Sequence, residues 1–359
     1  MPIKHGASAR ALAHDVMVDK NNAFILACRG HEAEYTPIWF MRQAGRYLPG
    51  YMELRKHHSI MEMYKDPAIS SAITTMPVEL IGVDAAIIFA DLMTPLEAMG
   101  VEFDIGSGGP AIKYPIKDAH GVDALKKINP LSDTGYVMEA IRRSAASLQN
   151  RVPIIGFSGA PFTLASYMIE GTLSRDLHMI KGFMHSNAEP WHSLMEKLAD
   201  MVSAYSIAQA SSGASAIQIF DSWAGNLCPA DYEEFVMPYM KRIFRRISEA
   251  GVPSIYFSTC TSGMFGLLSE LGADVISVDW RVDIDDAWSG IGCRAIQGNL
   301  DPSLMLCDFG TLEKRANAIM EQTAGRPGHI FNLGHGMLPT TPVQNAERLV
   351  KLVHERTAL

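Results

Sequence analysis

The five cysteines, Cys28, Cys228, Cys260, Cys293 and Cys307, are odd in number and form no C-x-x-C pair. Neither a disulfide framework nor a zinc ribbon is signalled, which predicts a reducing, cytoplasmic setting. No apolar run approaches the length of a membrane span, and the opening stretch MPIKHGASARALAHDVMVDKNN has no apolar core fit for a signal peptide. Asp15 and Asp19 also weigh against an arginine-rich transit peptide. Positive charge is scarce: 31 lysines and arginines stand against 39 aspartates and glutamates, a formal net charge of −8. A bulk acidic surface speaks against nucleic acid as a partner, so an anionic ligand must be drawn by a few local arginines. No G-x-G-x-x-G follows the first predicted strand, which disfavours a dinucleotide fold. A P-loop, a G-x-S-x-G elbow and an H-E-x-x-H motif are also missing. No lysine sits immediately at a strand end, so a Schiff-base aldolase is disfavoured. The 12 histidines show no pairing with carboxylates at metal-ligand spacing. The expected site therefore uses no metal and no organic cofactor.

What is present is a large core. Hydrophobic residues make up 48% of the chain and charged residues 19%, and 359 residues is a normal length for one α/β barrel. The 21 methionines read as adaptable core filler. Short β-rich apolar runs alternate with longer amphipathic segments. Strands are predicted over 37–41, 85–90, 153–157, 216–220, 253–257, 274–278, 294–297 and 329–332. Asp66-Pro67 opens a helix that runs towards Leu80 and ends near Gly82, and others are predicted over 134–148, 231–247 and 342–353. About eight strands alternating with helices predict a single (β/α)8 TIM-barrel domain over 1–359, with a doubly wound sheet as the runner-up. A short N-terminal extension precedes it. The stretch 101–131, with its GSGGP, reads as an insertion carrying a hairpin or extended loop.

Barrel enzymes place their chemistry at the C-terminal ends of strands. That rule selects Arg42, Gln43 and Arg46 after the first strand, then Asp91, then Ser158 and Gly159 with Tyr167 beyond. Asp221 and Ser222, Ser258 and Cys260, Asp279, Gly298 and Asn299, and finally His335 follow. Gly45 is expected to let the backbone take conformations other residues avoid, and Arg42 and Arg46, set around Ala44 and Gly45, make a fork for carboxylates or phosphates. Their bland reading is a pair of solvated charges four apart on a helix. Asp91 and Asp279 equally suit helix caps, and Tyr167 a half-buried core tyrosine. Asp221 and Cys260 read as structural by default. His335 stands out, because Gly334 and Gly336 leave it little local packing.

These residues lie in segments that resemble the uroporphyrinogen decarboxylase family. PIWFMRQAGRYLPGY is the most specific, together with FNLGHGMLPTTP, which carries His335. AAIIFADLMTPLEAMG carries Asp91, GFSGAPFTLASYMIEG carries Tyr167 and IQIFDSWAG carries Ser222. In order, they span 36 to about 342. The family usually continues LPEYRELR where this chain reads LPGYMELR, so Gly50 and Met52 replace a glutamate and an arginine while Arg55 is kept.

The resemblance implies cofactor-independent removal of carbon dioxide from the four acetates of uroporphyrinogen III, giving coproporphyrinogen III in porphyrin and haem biosynthesis. It also implies a homodimer with facing clefts, while the acidic composition and the lack of a long apolar run predict no nucleic-acid or membrane partner. Asp91, Arg42 and Tyr167 are the expected catalytic residues. Arg42, Gln43, Ala44, Gly45, Arg46, Arg55, Asp91, Tyr167, Ser222 and His335 are the expected substrate-binding residues. Two alternatives stand beside this. One is a zinc- or corrinoid-linked methyltransferase on the same barrel, although its His-x-Cys pair is here Ser258-Thr-Cys260. The other is a non-catalytic tetrapyrrole-binding protein.

Overall fold

A computed structural model describes residues 22–106 and 109–359. The expected N-terminal extension lies largely outside them. The described residues form nine strands: β1 (Ala86–Ile87), β2 (Phe103–Gly106), β3 (Gly109–Ile112), β4 (Ile154–Gly159), β5 (Ala214–Asp221), β6 (Ser254–Ser258), β7 (Val275–Ser277), β8 (Ala295–Leu300) and β9 (His329–Leu333). Seven form a curled sheet in the order β1-β4-β5-β6-β7-β8-β9, parallel throughout, and helices connect them. β2 and β3 form an antiparallel hairpin between β1 and β4. No helix of the described residues is long and apolar enough to cross a membrane.

The stave predicted over 37–41 is present but is not a regular strand. It makes one parallel bridge, Ile38 to Phe331 of β9. Its main chain also reaches the other side, where Asp84 N donates to Ile38 O at 2.9 Å. Side chains take over the rest of the ladder. Ile38 N donates to Asp84 Oδ2, Phe40 N to Gln43 Oε1 and Met41 N to Asn332 Oδ1. Pro37 has no N–H to offer. The barrel is therefore a seven-stranded curl whose gap is filled by an irregular eighth segment. β1 is shorter than predicted for a similar reason: Phe89 N donates to Thr74 Oγ1, and Phe89 O accepts from Ser70 Oγ.

Asp84 pins this segment. Its carboxylate accepts from Ile38 N (2.7 Å), His354 Nε2 (2.8 Å) and Tyr35 Oη (3.1 Å). Asp84→Ala strands these donors at a largely buried position and is expected to destabilise by about 2–3 kcal/mol. Asp84→Asn, which keeps one acceptor oxygen, should lose less. Urea unfolding of the two variants decides it, and equal losses would count against the hydrogen-bond account.

The helix Pro67–Ile81 matches its prediction. Asp66 Oδ1 accepts from Ala68 N and Ile69 N, and Gly82 ends it at φ 75°. The predicted helix over 231–247 is instead two, Pro229–Phe235 and Met237–Glu249. Val236 takes φ −127° between them, and Pro238, in the first turn of the second helix, has no N–H with which to continue the ladder back to Glu234.

Candidate active site

The C-terminal ends of the parallel strands share one rim of the curl. The first segment delivers Arg42 there at φ 60°. A left-handed arginine is uncommon and strained, and such strain clusters at functional sites. The freedom expected of Gly45 is thus taken by Arg42 itself. Gly45 serves instead as a close approach, since a Cβ there would lie 3.1 Å from Arg42 O. Gln43 locks the loop: it is fully buried, Nε2 donates to Ala85 O, Oε1 accepts from Phe40 N, and its carbonyl accepts from Tyr47 Oη. Its groups are all committed to the protein, so it positions its neighbours. Arg46 is exposed. It and Arg55 both act on the Tyr51 hydroxyl. Arg55 also closes its own helix, Pro49–His57, through Nη1 to His58 O at 2.6 Å. Gly50 lies against Met76, and Met52 points to solvent.

Asp91 follows β1. Its Oδ1 accepts from Met93 N at 2.9 Å, so it does cap the turn ahead of the helix Thr94–Ala98. The carboxylate is half-buried, and burial raises its pKa, with Met93 N–H and Arg42 pulling it back down. Capping and chemistry are compatible, because a carboxylate has four acceptor positions and this cap takes one.

Tyr167 lies on the helix Pro161–Glu170, its ring edge-on to Trp223 at 6.4 Å. Burial raises its pKa, with Trp223 lowering it, Asp91 raising it and Arg42 lowering it. Arg42, Asp91 and Tyr167 therefore share one electrostatic neighbourhood. Ser222 precedes Trp223, and its carbonyl accepts from Thr259 Oγ1 at 2.8 Å. Behind them sits Asp221, fully buried with no cation. Its carboxylate accepts from Thr163 Oγ1 at 2.9 Å and Tyr256 Oη at 3.0 Å. Thr163 Oγ1 accepts in turn from Trp223 N at 3.4 Å. Asp221 thus ties the Tyr167 helix to the Ser222 loop.

His335 completes the group. Gly336 N donates to its Nδ1 at 2.7 Å, so the neutral ring carries its proton on Nε2. Its pKa is pushed down to about 4, by burial first, then by Arg42 and Arg281, against Asp279. Both flanking glycines make close approaches, Gly334 to main chain and Gly336 to a side chain. A Cβ at 336 would lie 2.5 Å from Arg42 Cδ, and one at 334 would overlap the Trp280 main chain. An aromatic arc, Phe157–Phe220–Phe257–His335–Trp280, runs edge-on along the rim with successive centroids 5.7, 5.7, 6.0 and 6.5 Å apart. The sequence reading had singled out only His335 of that arc. Trp223, Trp280 and Arg281 were missed because they lie one or two positions beyond the strand-end residues. Cys260, also left-handed at φ 58°, donates its N–H to Asp279 Oδ2. Ser258 holds Thr261 Oγ1 at 2.7 Å. Among the described residues, no group of three or more His, Cys, Asp or Glu is placed to hold a metal ion.

The buried titratable groups make opposing claims on stability. His329, like His335, is pushed down to about 4, chiefly by burial. Unfolding restores a value near 6.5. The unfolded chain then binds more protons between pH 6.5 and 4, so stability falls as pH falls. Asp221 is pushed up to about 6 by burial, against its two hydroxyl donors. Folding favours its protonated form, so its contribution rises as pH falls through 6. Asp221→Asn removes that compensation. Between pH 6.5 and 4.5 the variant should lose about 2 kcal/mol more than the parent by urea unfolding. Equal acid losses would show that Asp221 does not titrate in this window.

Comparison with known proteins gives the family. The uroporphyrinogen decarboxylase (URO-D) family model matches residues 19–356. The uroporphyrinogen decarboxylase of Roseiflexus sp. (strain RS-1) is 46% identical over 345 residues, covering 94% of this chain and 99% of that protein. That of Carboxydothermus hydrogenoformans is 46% identical over 341 residues, covering 94% and 97%. Among solved structures, a methyltransferase from Methanosarcina mazei superposes with a TM-score of 0.78 at 19% identity, covering 95% of this chain and 99% of that one. That likeness shows the fold alone. Matches of this identity over nearly the full length do not favour the methyltransferase alternative, and the chain belongs to the uroporphyrinogen decarboxylase family.

Proposed function

We propose that this chain removes carbon dioxide from the four acetate side chains of uroporphyrinogen III, giving coproporphyrinogen III, with no metal or organic cofactor. The observation that carries the reading is Asp91: a half-buried carboxylate at a strand end, with Arg42 and Tyr167 within electrostatic reach.

Loss of carbon dioxide from an acetate needs an electron sink, and the pyrrole supplies it. Protonation of the ring α-carbon beside the acetate-bearing carbon makes a delocalised cation. The C–C bond then breaks, its electron pair forms an exocyclic methylene, and carbon dioxide leaves. A proton added to the methylene carbon gives the methyl, and loss of the ring proton restores the pyrrole. Asp91 accepts from the pyrrole N–H groups and stabilises the cation more than the ground state. Arg42, Arg46 and Arg55 hold substrate carboxylates by charge-assisted hydrogen bonds, each worth about 1.5–3 kcal/mol. His335, neutral with a proton on Nε2, donates to a carboxylate without competing as an acid. Tyr167 and Ser222 add donors. Ala44 and Gly45 let the loop approach closely. The family resemblance also supports a cytoplasmic homodimer as the working form.

The test is anaerobic incubation with uroporphyrinogen III and chromatography of the oxidised porphyrins. Stepwise appearance of seven- to four-carboxylate products supports the reading. Unchanged substrate that stays bound would put the non-catalytic binder in its place.

A further inference from the structure

We propose that Arg281 is a further carboxylate-binding residue of this site, set with Arg42 beside His335, where it holds an acetate or propionate of the tetrapyrrole. The inference rests on the proposed function for the identity of the ligand. The placement follows from the fold. Arg281 comes two residues after Asp279, just past β7 on the rim that carries His335. Gly334 lets the end of β9 press against the Asp279–Trp280 main chain. The Trp280 ring then meets His335 edge-on at 6.5 Å, and the Arg281 guanidinium lies over that ring with Cζ 4.0 Å from its centroid. On the other side of His335 in sequence, Gly336 lets the Arg42 side chain cross. Arg42 and Arg281 both depress the His335 imidazole, which places the two cations on one group.

Arg281 is also held in advance. Its Nη1 donates to Asp279 Oδ2 at 2.6 Å, and its main-chain N donates to Asp279 Oδ1 at 3.1 Å. One edge of the guanidinium is fixed by a carboxylate and one face by an indole, so little side-chain freedom remains to be lost on binding. The pair is lopsided: the Asp279 side chain is 5% exposed and that of Arg281 is 46% exposed. Asp279 is turned inward, where it also takes the Cys260 N–H. The guanidinium has five N–H donors, and the exposure of the side chain leaves others accessible. A planar fork presented beside a neutral imidazole donor suits a carboxylate.

The alternative is that Arg281 only neutralises buried Asp279. Arg281→Lys keeps a cation opposite Asp279 but loses the fork and the stacking, and Arg281→Gln loses the charge as well. The experiment measures kcat and KM on uroporphyrinogen III, Kd for uroporphyrin by quenching of tryptophan fluorescence, and urea unfolding, for the parent and both variants. The expected result is a KM and Kd raised about 10–100-fold in Arg281→Gln and about 3–10-fold in Arg281→Lys, with kcat within about threefold. Parental KM and Kd in Arg281→Lys would overturn the proposal whatever the stability shows. A parent that binds uroporphyrin without turning over uroporphyrinogen would overturn the decarboxylase reading, and the Kd comparison would still decide Arg281. A parent that neither binds nor reacts would overturn both.

Discussion

Asp91→Asn is expected to lower kcat on uroporphyrinogen about 10²–10³-fold, with KM moving less than about threefold. Asparagine has nearly the shape of aspartate, and its Oδ1 can still accept from Met93 N, so the turn before the helix Thr94–Ala98 survives. What is lost is a negative charge in a half-buried position. Its worth depends on what faces it. In the ground state the substrate offers neutral pyrrole N–H groups, which an amide oxygen also satisfies. In the transition state the ring is a cation, and a fixed anion in a low-dielectric site stabilises it far more than an amide dipole does. Burial already works against the ionised form, with Met93 N–H and Arg42 holding it in place. Removing the charge should therefore leave stability unchanged or slightly raised. A variant with normal kcat and a raised KM would make Asp91 a binding residue only, and the cation would need another stabiliser.

The strand-end rule picks residues that share one neighbourhood because it needs only the order of strands. Asp91, Tyr167 and His335 share Arg42 as a partner although they are scattered from 91 to 335. Local signals also read well where one element decides its own end, as at Asp66 and Gly82. What escaped were arrangements made by side chains across the fold. Gln43 reads as polar at a strand end, yet its amide replaces ladder partners on both sides. Asp221 meets Thr163 and Tyr256, residues 58 and 35 positions away, which no local pattern shows. Arg281 was invisible for the same reason: its interest lies in Trp280 and His335, and spacing along the chain carries none of it.

The left-handed backbone of this loop sits at Arg42 and not at Gly45. Glycine is the default for positive φ, so Gly45 was the natural choice. The chain instead places Arg42 there at φ 60° and keeps small residues where other chain segments must pass. Gly45 lies under Arg42 O, Gly336 under the Arg42 side chain and Gly334 against Trp280. Small residues in these segments mark close approach. The strain is carried by the residue whose side chain must reach the site.

Gly334→Ala carries that point to its largest expected effect. The added Cβ would overlap Trp280 N and lie 3.0 Å from both Asp279 C and Trp280 Cβ. Two of those three atoms belong to main chain that cannot rotate away. The glycine itself is fixed as well, because its N–H donates to Leu300 O at 2.7 Å, at the end of the β8–β9 ladder. Relief requires the ends of β7 and β9 to separate, which carries His335 away from Trp280 and Arg281. The expected loss is about 1–3 kcal/mol by urea unfolding, with kcat/KM down about 10²-fold through misplacement of the site. Gly336→Ala is the matched control. Its Cβ meets Arg42 Cδ and Cγ, atoms of a flexible side chain that can swing aside. It should therefore cost less than about 1 kcal/mol in stability, while displacing Arg42 and raising KM. If Gly334→Ala kept both parental stability and parental kcat/KM, the tight junction of β7 and β9 would not be what holds His335. If the two alanine variants behaved alike, main-chain and side-chain contact would be equally forgiving here, and the geometry around His335 would have to be set by the aromatic arc instead.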